Sequence, residues 1–245
     1  MSEKYSNPDR GLAKTRLDFL VNQAVSSLKL VSAQKKNTYM LSSFGVNSAL
    51  LFQLVKEAGV NLPVLTVDTG FWYSETYKFK DKLVKAYGSK LVTASPSKME
   101  VDKVLEEHLW LSDLKKYHKI VKLNPLNDTI ESHGIEVLVS AIRRGQTENR
   151  EHLTIAEKGR SGELRVHPII DWRREDVELF FETRNLPKHP LSHLYASIGD
   201  WTTTRPGESR AESRNLENGE CGIHITEDGN VKTNSKKDLE EDNGK

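Results

Sequence analysis

Leu62-Pro63-Val64-Leu65-Thr66-Val67, running straight into Asp68-Thr69-Gly70, is the stretch from which the rest of the chain can be placed. Its apolar residues do not alternate with polar ones. They run together, the pattern of a strand covered on both faces, and such strands belong to parallel sheets flanked by helices. Upstream, Thr38-Tyr39-Met40-Leu41 reads as a second short strand ending at Ser42 and the turn Ser43-Phe44-Gly45. A helix follows, with apolar positions at Leu50, Leu51, Leu54, Val55 and Ala58 and its stop at Gly59. Before the strand, apolar residues at 17, 20, 21, 24, 25 and 28 form a helical stripe from Leu17 to Leu30.

Downstream, Ser74 is placed to cap a helix that reaches about Tyr87 and ends at Gly88. Lys90-Leu91-Val92-Thr93 is a third strand, helices fall near 97–108 and 124–133, and Ile135-Glu136-Val137-Leu138-Val139 is a fourth strand emptying into Arg143-Arg144. Strand and helix in alternation imply right-handed crossovers and a parallel sheet. The expected fold is therefore α/β, a doubly wound, mostly parallel, Rossmann-like sheet, without an internal repeat. After Arg150, Leu164 to Pro168 reads as a short strand, and Asp171 as the cap of a helix through about Arg184 that buries Val177, Phe180 and Phe181. The expected organisation is a disordered N-terminus over 1–15 and a single nucleotide-binding domain over 16–224. That domain closes in a flexible C-terminal arm from about 188 to 224, and a charge-rich disordered tail follows over 225–245.

Composition narrows the function. Thirty-six basic and 35 acidic residues leave a net charge of +1, so there is no overall field of the kind that marks nucleic-acid binding. Anion sites must then be local clusters. One cysteine in 245 residues excludes an internal disulfide and an all-cysteine iron–sulfur cluster, which takes four thiolates. A free thiol suits a reducing, cytoplasmic setting. No stretch approaches the roughly 18 apolar residues of a membrane span, and no apolar run near the N-terminus reads as a signal peptide. No His or Cys spacing matches a zinc motif.

Ligands of an open parallel sheet bind beyond the C-terminal strand ends, and three loops there carry polar signatures. Ser42-Ser43-Phe44-Gly45 is either an anion site at a helix N-terminus or an ordinary capped turn. Asp68-Thr69-Gly70 either lets the backbone read an adenine edge or is common turn chemistry. Arg143-Arg144, with Arg150, is either a phosphate fork or a salt-bridged surface. Lys122 adds a further cation, and Thr203-Thr204-Arg205 favours a phosphate or sulfate. A lone cysteine is usually a small buried hydrophobe. Cys221 is different: glycines stand at 219 and 222, His224 is three residues on, and Arg205, Arg210 and Arg214 precede it. A thiol in such surroundings can be held as a thiolate and attack.

In this order, Ser42-Ser43-Phe44-Gly45, Val67-Asp68-Thr69-Gly70, Ile142-Arg143-Arg144, His167-Pro168-Ile169-Ile170-Asp171-Trp172, Ser197-Ile198-Gly199-Asp200, Thr203-Thr204-Arg205 and Glu220-Cys221-Gly222-Ile223-His224 resemble the phosphoadenylyl-sulfate (PAPS) reductase family. That family sits in the adenine nucleotide alpha-hydrolase-like superfamily. The resemblance implies that Cys221, assisted by His224, attacks the sulfur of PAPS in sulfate assimilation. Adenosine 3′,5′-bisphosphate leaves, and reduced thioredoxin (or glutaredoxin) frees sulfite from the Cys221 S-sulfonate. It implies substrate contacts from Ser42, Ser43, Phe44, Gly45, Asp68, Thr69, Gly70, Lys122, Arg143, Arg144, Arg150, Thr203, Thr204, Arg205, Arg210 and Arg214. It also implies no bound cofactor, no metal, no nucleic-acid or membrane partner, and a homodimer. Two other readings stay open: the same chemistry on adenylyl sulfate (APS) without a cluster, and a nucleotide-binding protein that has lost turnover. Phe44 and Asn47 stand where ATP-cleaving relatives carry a glycine and an acid, which disfavours adenylation.

Overall fold

Short runs of apolar residues build the sheet. In this computed structural model, which describes residues 7–207 together with 209 and 223, the strands are β1 Thr38–Leu41, β2 Val64–Val67, β3 Leu91–Ala94, β4 Val137–Ser140, β5 Ala156–Lys158 and β6 Leu164–Val166. They lie in the order β3-β2-β1-β4-β6-β5. All neighbours are parallel except β5, which runs antiparallel to β6 at the outer edge. The two central pairings fix the register, with Met40 beside Val64 and Thr38 beside Val137. Every residue of β2 and β4 is buried, as continuous apolar runs require.

Successive side chains of a strand point to opposite faces, and each face is covered differently. Met40, Val64, Val139 and Val166 pack with helices α1 Asn7–Ala33, α2 Ser48–Ala58, α3 Ser74–Tyr87 and α8 Arg174–Thr183. Tyr39, Leu65, Val67 and Leu138 pack on Leu126 and Ile130 of helix α7 Asn124–Ser132, with Ile223 against the same cluster. A third cluster gathers Phe71 with Val104, Leu109, Tyr117 and Val121 from helices α4 Lys98–Glu106, α5 Leu109–Ser112, α6 Leu114–His118 and the wide π turn Lys119–Leu123 that follows. Ser97 caps α4 in a reciprocal box, its hydroxyl accepting from the Glu100 N–H while the Glu100 carboxylate accepts from the Ser97 N–H.

Several expectations shift. The helix expected from Leu17 begins at Asn7, so residues 7–15 are helical rather than disordered. Proline is tolerated in the first helical turn, and Arg10 and Arg16 fasten this end to Glu182 and Asp176. The residue flanking α3 is Tyr73; Ser74 is already helical and its hydroxyl donates to Glu75. Asp171 does not cap α8. That helix starts at Arg174, and the carboxylate of Asp176 accepts the Arg173 N–H at 2.8 Å. The stretch assigned to a flexible arm is built into the body through Thr203, since His189, Ser197, Ile198, Asp200 and Thr203 are all buried. Residues 225–245 lie outside the described residues. No helix among the described residues is long and apolar enough to cross a membrane.

Candidate active site

A cavity of about 550 Å³ opens at the C-terminal ends of β1, β2 and β4, where the order of the strands places a crevice. Its first wall is the turn after β1. Ser42, Ser43 and Gly45 line it, and the turn delivers the positive N-terminal end of α2 to the cavity. Phe44 takes a left-handed φ of 50°, costly for a bulky residue. It is held by complete burial against Phe52 and Trp72. Gly45 has little room for a side chain: a Cβ there would stand 3.3 Å from the Ile198 carbonyl oxygen.

The second wall follows β4. Arg143 and Arg150 both line the cavity and are buried. Gln146 Oε1 accepts from the Arg143 N–H at 3.1 Å and from Arg150 Nη1, fixing the loop around them. Arg143 Nη1 reaches the Trp172 carbonyl at a long 3.4 Å, and its buried Nε has no hydrogen-bond partner. Burial lowers its pKa first and the neighbouring Arg150 lowers it further. Among the described residues it forms no ion pair. A desolvated guanidinium without a carboxylate beside it favours an anionic partner.

The third wall is a buried polar network that joins residues remote along the chain. Lys122 Nζ stands 2.5 Å from Asp200 Oδ2, and both side chains are almost wholly buried. Thr69 donates to Asp200 Oδ1 at 2.7 Å and Tyr117 donates to Oδ2 at 3.0 Å, so the Thr202 hydroxyl, 2.9 Å from the tyrosine oxygen, donates to it. Lys122 is aimed inward by the π turn, a widened turn that often marks functional positions. Thr69, Lys122 and Asp200 all line the cavity.

Beneath the β4 end, Ser140 pairs with His167 Nδ1 at 2.9 Å. Across the cavity, His189 Nδ1 accepts the Leu191 N–H, so its Nε2 carries the proton and donates to Thr76 at 3.2 Å. Both imidazoles are pushed from 6.5 down to about 4, mainly by burial, and for His167 also by Arg165 and Arg150. The unfolded chain therefore binds more protons between those values. Stability, complete above pH 6.5, falls as the pH drops toward 4 by up to about 3 kcal/mol for each histidine. Urea unfolding from pH 7 to 4.5 reads this slope, and His167→Gln should flatten it; a midpoint constant across the window would contradict it.

Of the residues singled out in the sequence, Ser42, Ser43, Gly45, Thr69, Lys122, Arg143 and Arg150 come together here. Others face elsewhere. Phe44 belongs to the core. Asp68 serves its own turn, accepting from the Gly70 N–H and the Tyr77 hydroxyl, and Gly70 is there for its φ of 79°. Arg144 is bound to Asp171 and to the Leu153 carbonyl and does not line the cavity. Thr203 is buried, Thr204 accepts the Gly199 N–H, and Arg205 does not line the cavity. Cys221, His224, Arg210 and Arg214 lie outside the described residues. Ile223, two positions after Cys221, does line the cavity. Asp200, Ser140, Gln146 and Lys188 were not named as site residues, although Asp200 stands in the quoted motif Ser197-Ile198-Gly199-Asp200 and Ser140 at a strand end. Among the described residues no cluster of His, Cys, Asp and Glu is arranged to hold a metal ion.

Comparison with known proteins agrees with this architecture. A family model for the phosphoadenosine phosphosulfate reductase domain matches residues 37–206. A phosphoadenosine 5′-phosphosulfate reductase of Alkalilimnicola ehrlichii is 34% identical, the match covering 76% of this chain and 79% of that protein. One from Vibrio parahaemolyticus is 31% identical over 91% of this chain and 93% of its own length. The crystal structure of Candida auris PAPS reductase in a phosphate complex superposes with a TM-score of 0.66 at 22% identity, covering 83% of this chain and all of that one. Candida glabrata FMN adenylyltransferase with ATP shares the fold at a TM-score of 0.62 and 15% identity, over 91% of this chain and 74% of its own.

Proposed function

The chain belongs to the phosphoadenosine phosphosulfate reductase family and is an oxidoreductase of that kind; on that premise we propose that it reduces PAPS with Cys221 as nucleophile and thioredoxin as electron donor. PAPS lies in the cavity with its anionic groups toward Arg143, Arg150 and the N-terminus of α2. The Cys221 thiolate attacks sulfur; an S–S bond forms as the S–O bond to the phosphate breaks, and the nucleotide bisphosphate leaves. One thiol of reduced thioredoxin then attacks the Cys221 sulfur and expels sulfite. Its second thiol resolves the mixed disulfide, supplying two electrons in all. Repulsion between a thiolate and a polyanion is the main electrostatic obstacle, and buried cations are the means of lowering it. His224 is assigned to assist the thiolate, and Arg210 and Arg214 to add positive charge on the segment that carries it. The chemistry suits the cytoplasm, whose reductants keep a lone thiol free.

The observation that carries this reading is Arg143, a buried cation facing the cavity without an anionic partner among the described residues. The position of Ile223 supports the rest: it lines the cavity and follows Cys221 by two residues in the chain. Arg143→Ala is expected to weaken adenosine 3′,5′-bisphosphate by about 1.5–3 kcal/mol, the worth of a charge-assisted contact, as measured by titration calorimetry. Unchanged affinity would remove Arg143 from the site and with it this placement of the nucleotide.

A further inference from the structure

We propose that Glu163 and Arg165 form a clamp that holds the backbone just beyond Cys221 against the sheet, which makes Arg165 a positioning residue for the nucleophile. Arg165 lies in the middle of β6, an interior strand between β4 and β5, where a guanidinium is out of place. It is buried, as is Glu163 two residues earlier, just before the strand begins. Glu163 Oε1 accepts Arg165 Nε at 2.7 Å and Nη2 at 2.6 Å, and Oε2 accepts the Ser161 N–H at 3.0 Å, so the carboxylate is fixed from two sides. The remaining arm of the fork, Nη1, donates to the carbonyl of Ile223.

The register explains why that donor meets that carbonyl. Arg165 is paired with Leu138 across the parallel ladder, and Leu138 belongs to the cluster on which the Ile223 side chain packs. Ile223 is thus held twice, by its side chain on the apolar face and by its carbonyl on the guanidinium. A buried ion pair gains little over a packed apolar pair, so stability alone does not account for this one. Once Glu163 has neutralised the cation, what Arg165 offers is a directed N–H. A backbone carbonyl as acceptor fixes the path of the chain rather than the identity of a side chain.

The proposal rests on the assignment of Cys221 as nucleophile, and its test has one readout that needs no turnover. Amide hydrogen exchange across the peptide containing Ile223 is expected to speed up about tenfold in Arg165→Met, the loss of one charge-assisted hydrogen bond. Glu163→Gln, which frees the fork to turn, should move it the same way. In sulfite release from PAPS, kcat should fall about tenfold with KM within twofold, and Arg165→Lys, which keeps the cation, should restore part of kcat. Exchange unchanged in both Arg165→Met and Glu163→Gln would overturn the clamp, as would a rise in KM at constant kcat. If Arg165→Met does not fold, Glu163→Gln and Arg165→Lys carry both measurements. Faster exchange in a protein whose wild type forms no sulfite would leave the clamp standing and remove the reaction assigned to the site.

Discussion

Cys221→Ser is expected to release no sulfite while binding adenosine 3′,5′-bisphosphate as the wild type does. A serine hydroxyl is not ionised near neutral pH and cannot form the S–S bond on which the first half-reaction depends, so the loss should reach the background of the assay. Since the chain has one cysteine, intact mass reads the same step directly. Incubation of the wild type with PAPS in the absence of reductant should add one sulfonate, and Cys221→Ser should add none. Running APS in parallel decides the donor, because only the accepted nucleotide leaves the adduct. Sulfite production by Cys221→Ser would remove the nucleophile, and an adduct from APS alone would replace the substrate.

The second large effect concerns stability. Asp200 accepts hydrogen bonds from Thr69 and Tyr117 and pairs with Lys122 in a buried position. Asp200→Ala strips Lys122 of its partner and leaves a desolvated ammonium, a change that costs about 3–5 kcal/mol when a buried pair is broken from one side. Urea unfolding at pH 7 should show it as a lower midpoint with the slope unchanged. Lys122→Met combined with Asp200→Ala should recover part of the loss, because the uncompensated charge is gone. A single variant within 1 kcal/mol of wild type would show the pair to be far more hydrated than its burial implies.

The strands and helices that pack against both sheet faces were legible because their periods are clean: β1 and α3 begin and end where they were expected, and α2 ends where Gly59 places it. The stretch from Leu109 to Leu123 was not, since two very short helices followed by a π turn leave no 3.6-residue pattern to detect. β5 escaped for a different reason: Ala156 and Lys158 are exposed at a sheet edge, and three such residues look like a loop. The start of α1 was missed because Pro8 and Gly11 stand in its first turns, ahead of the apolar positions that begin at Leu17. Within the site, adjacent arginines are equivalent as sequence but not as structure. Arg143 turns toward the cavity and Arg144 toward Asp171, and only the backbone at the end of β4 decides which is which. Asp200 was hidden because the residues that give it meaning, Lys122 and Thr69, are remote along the chain.

The two outermost strands of the sheet also govern how the molecule behaves in a crowd. β3 is four residues long and is followed by Pro96, and β5 is three residues long and carries Glu157 and Lys158. Brief, charged or proline-stopped borders offer a passing chain few hydrogen-bonding groups to copy. Concentrated solutions and refolding mixtures should therefore be spared runaway strand-to-strand stacking from either side.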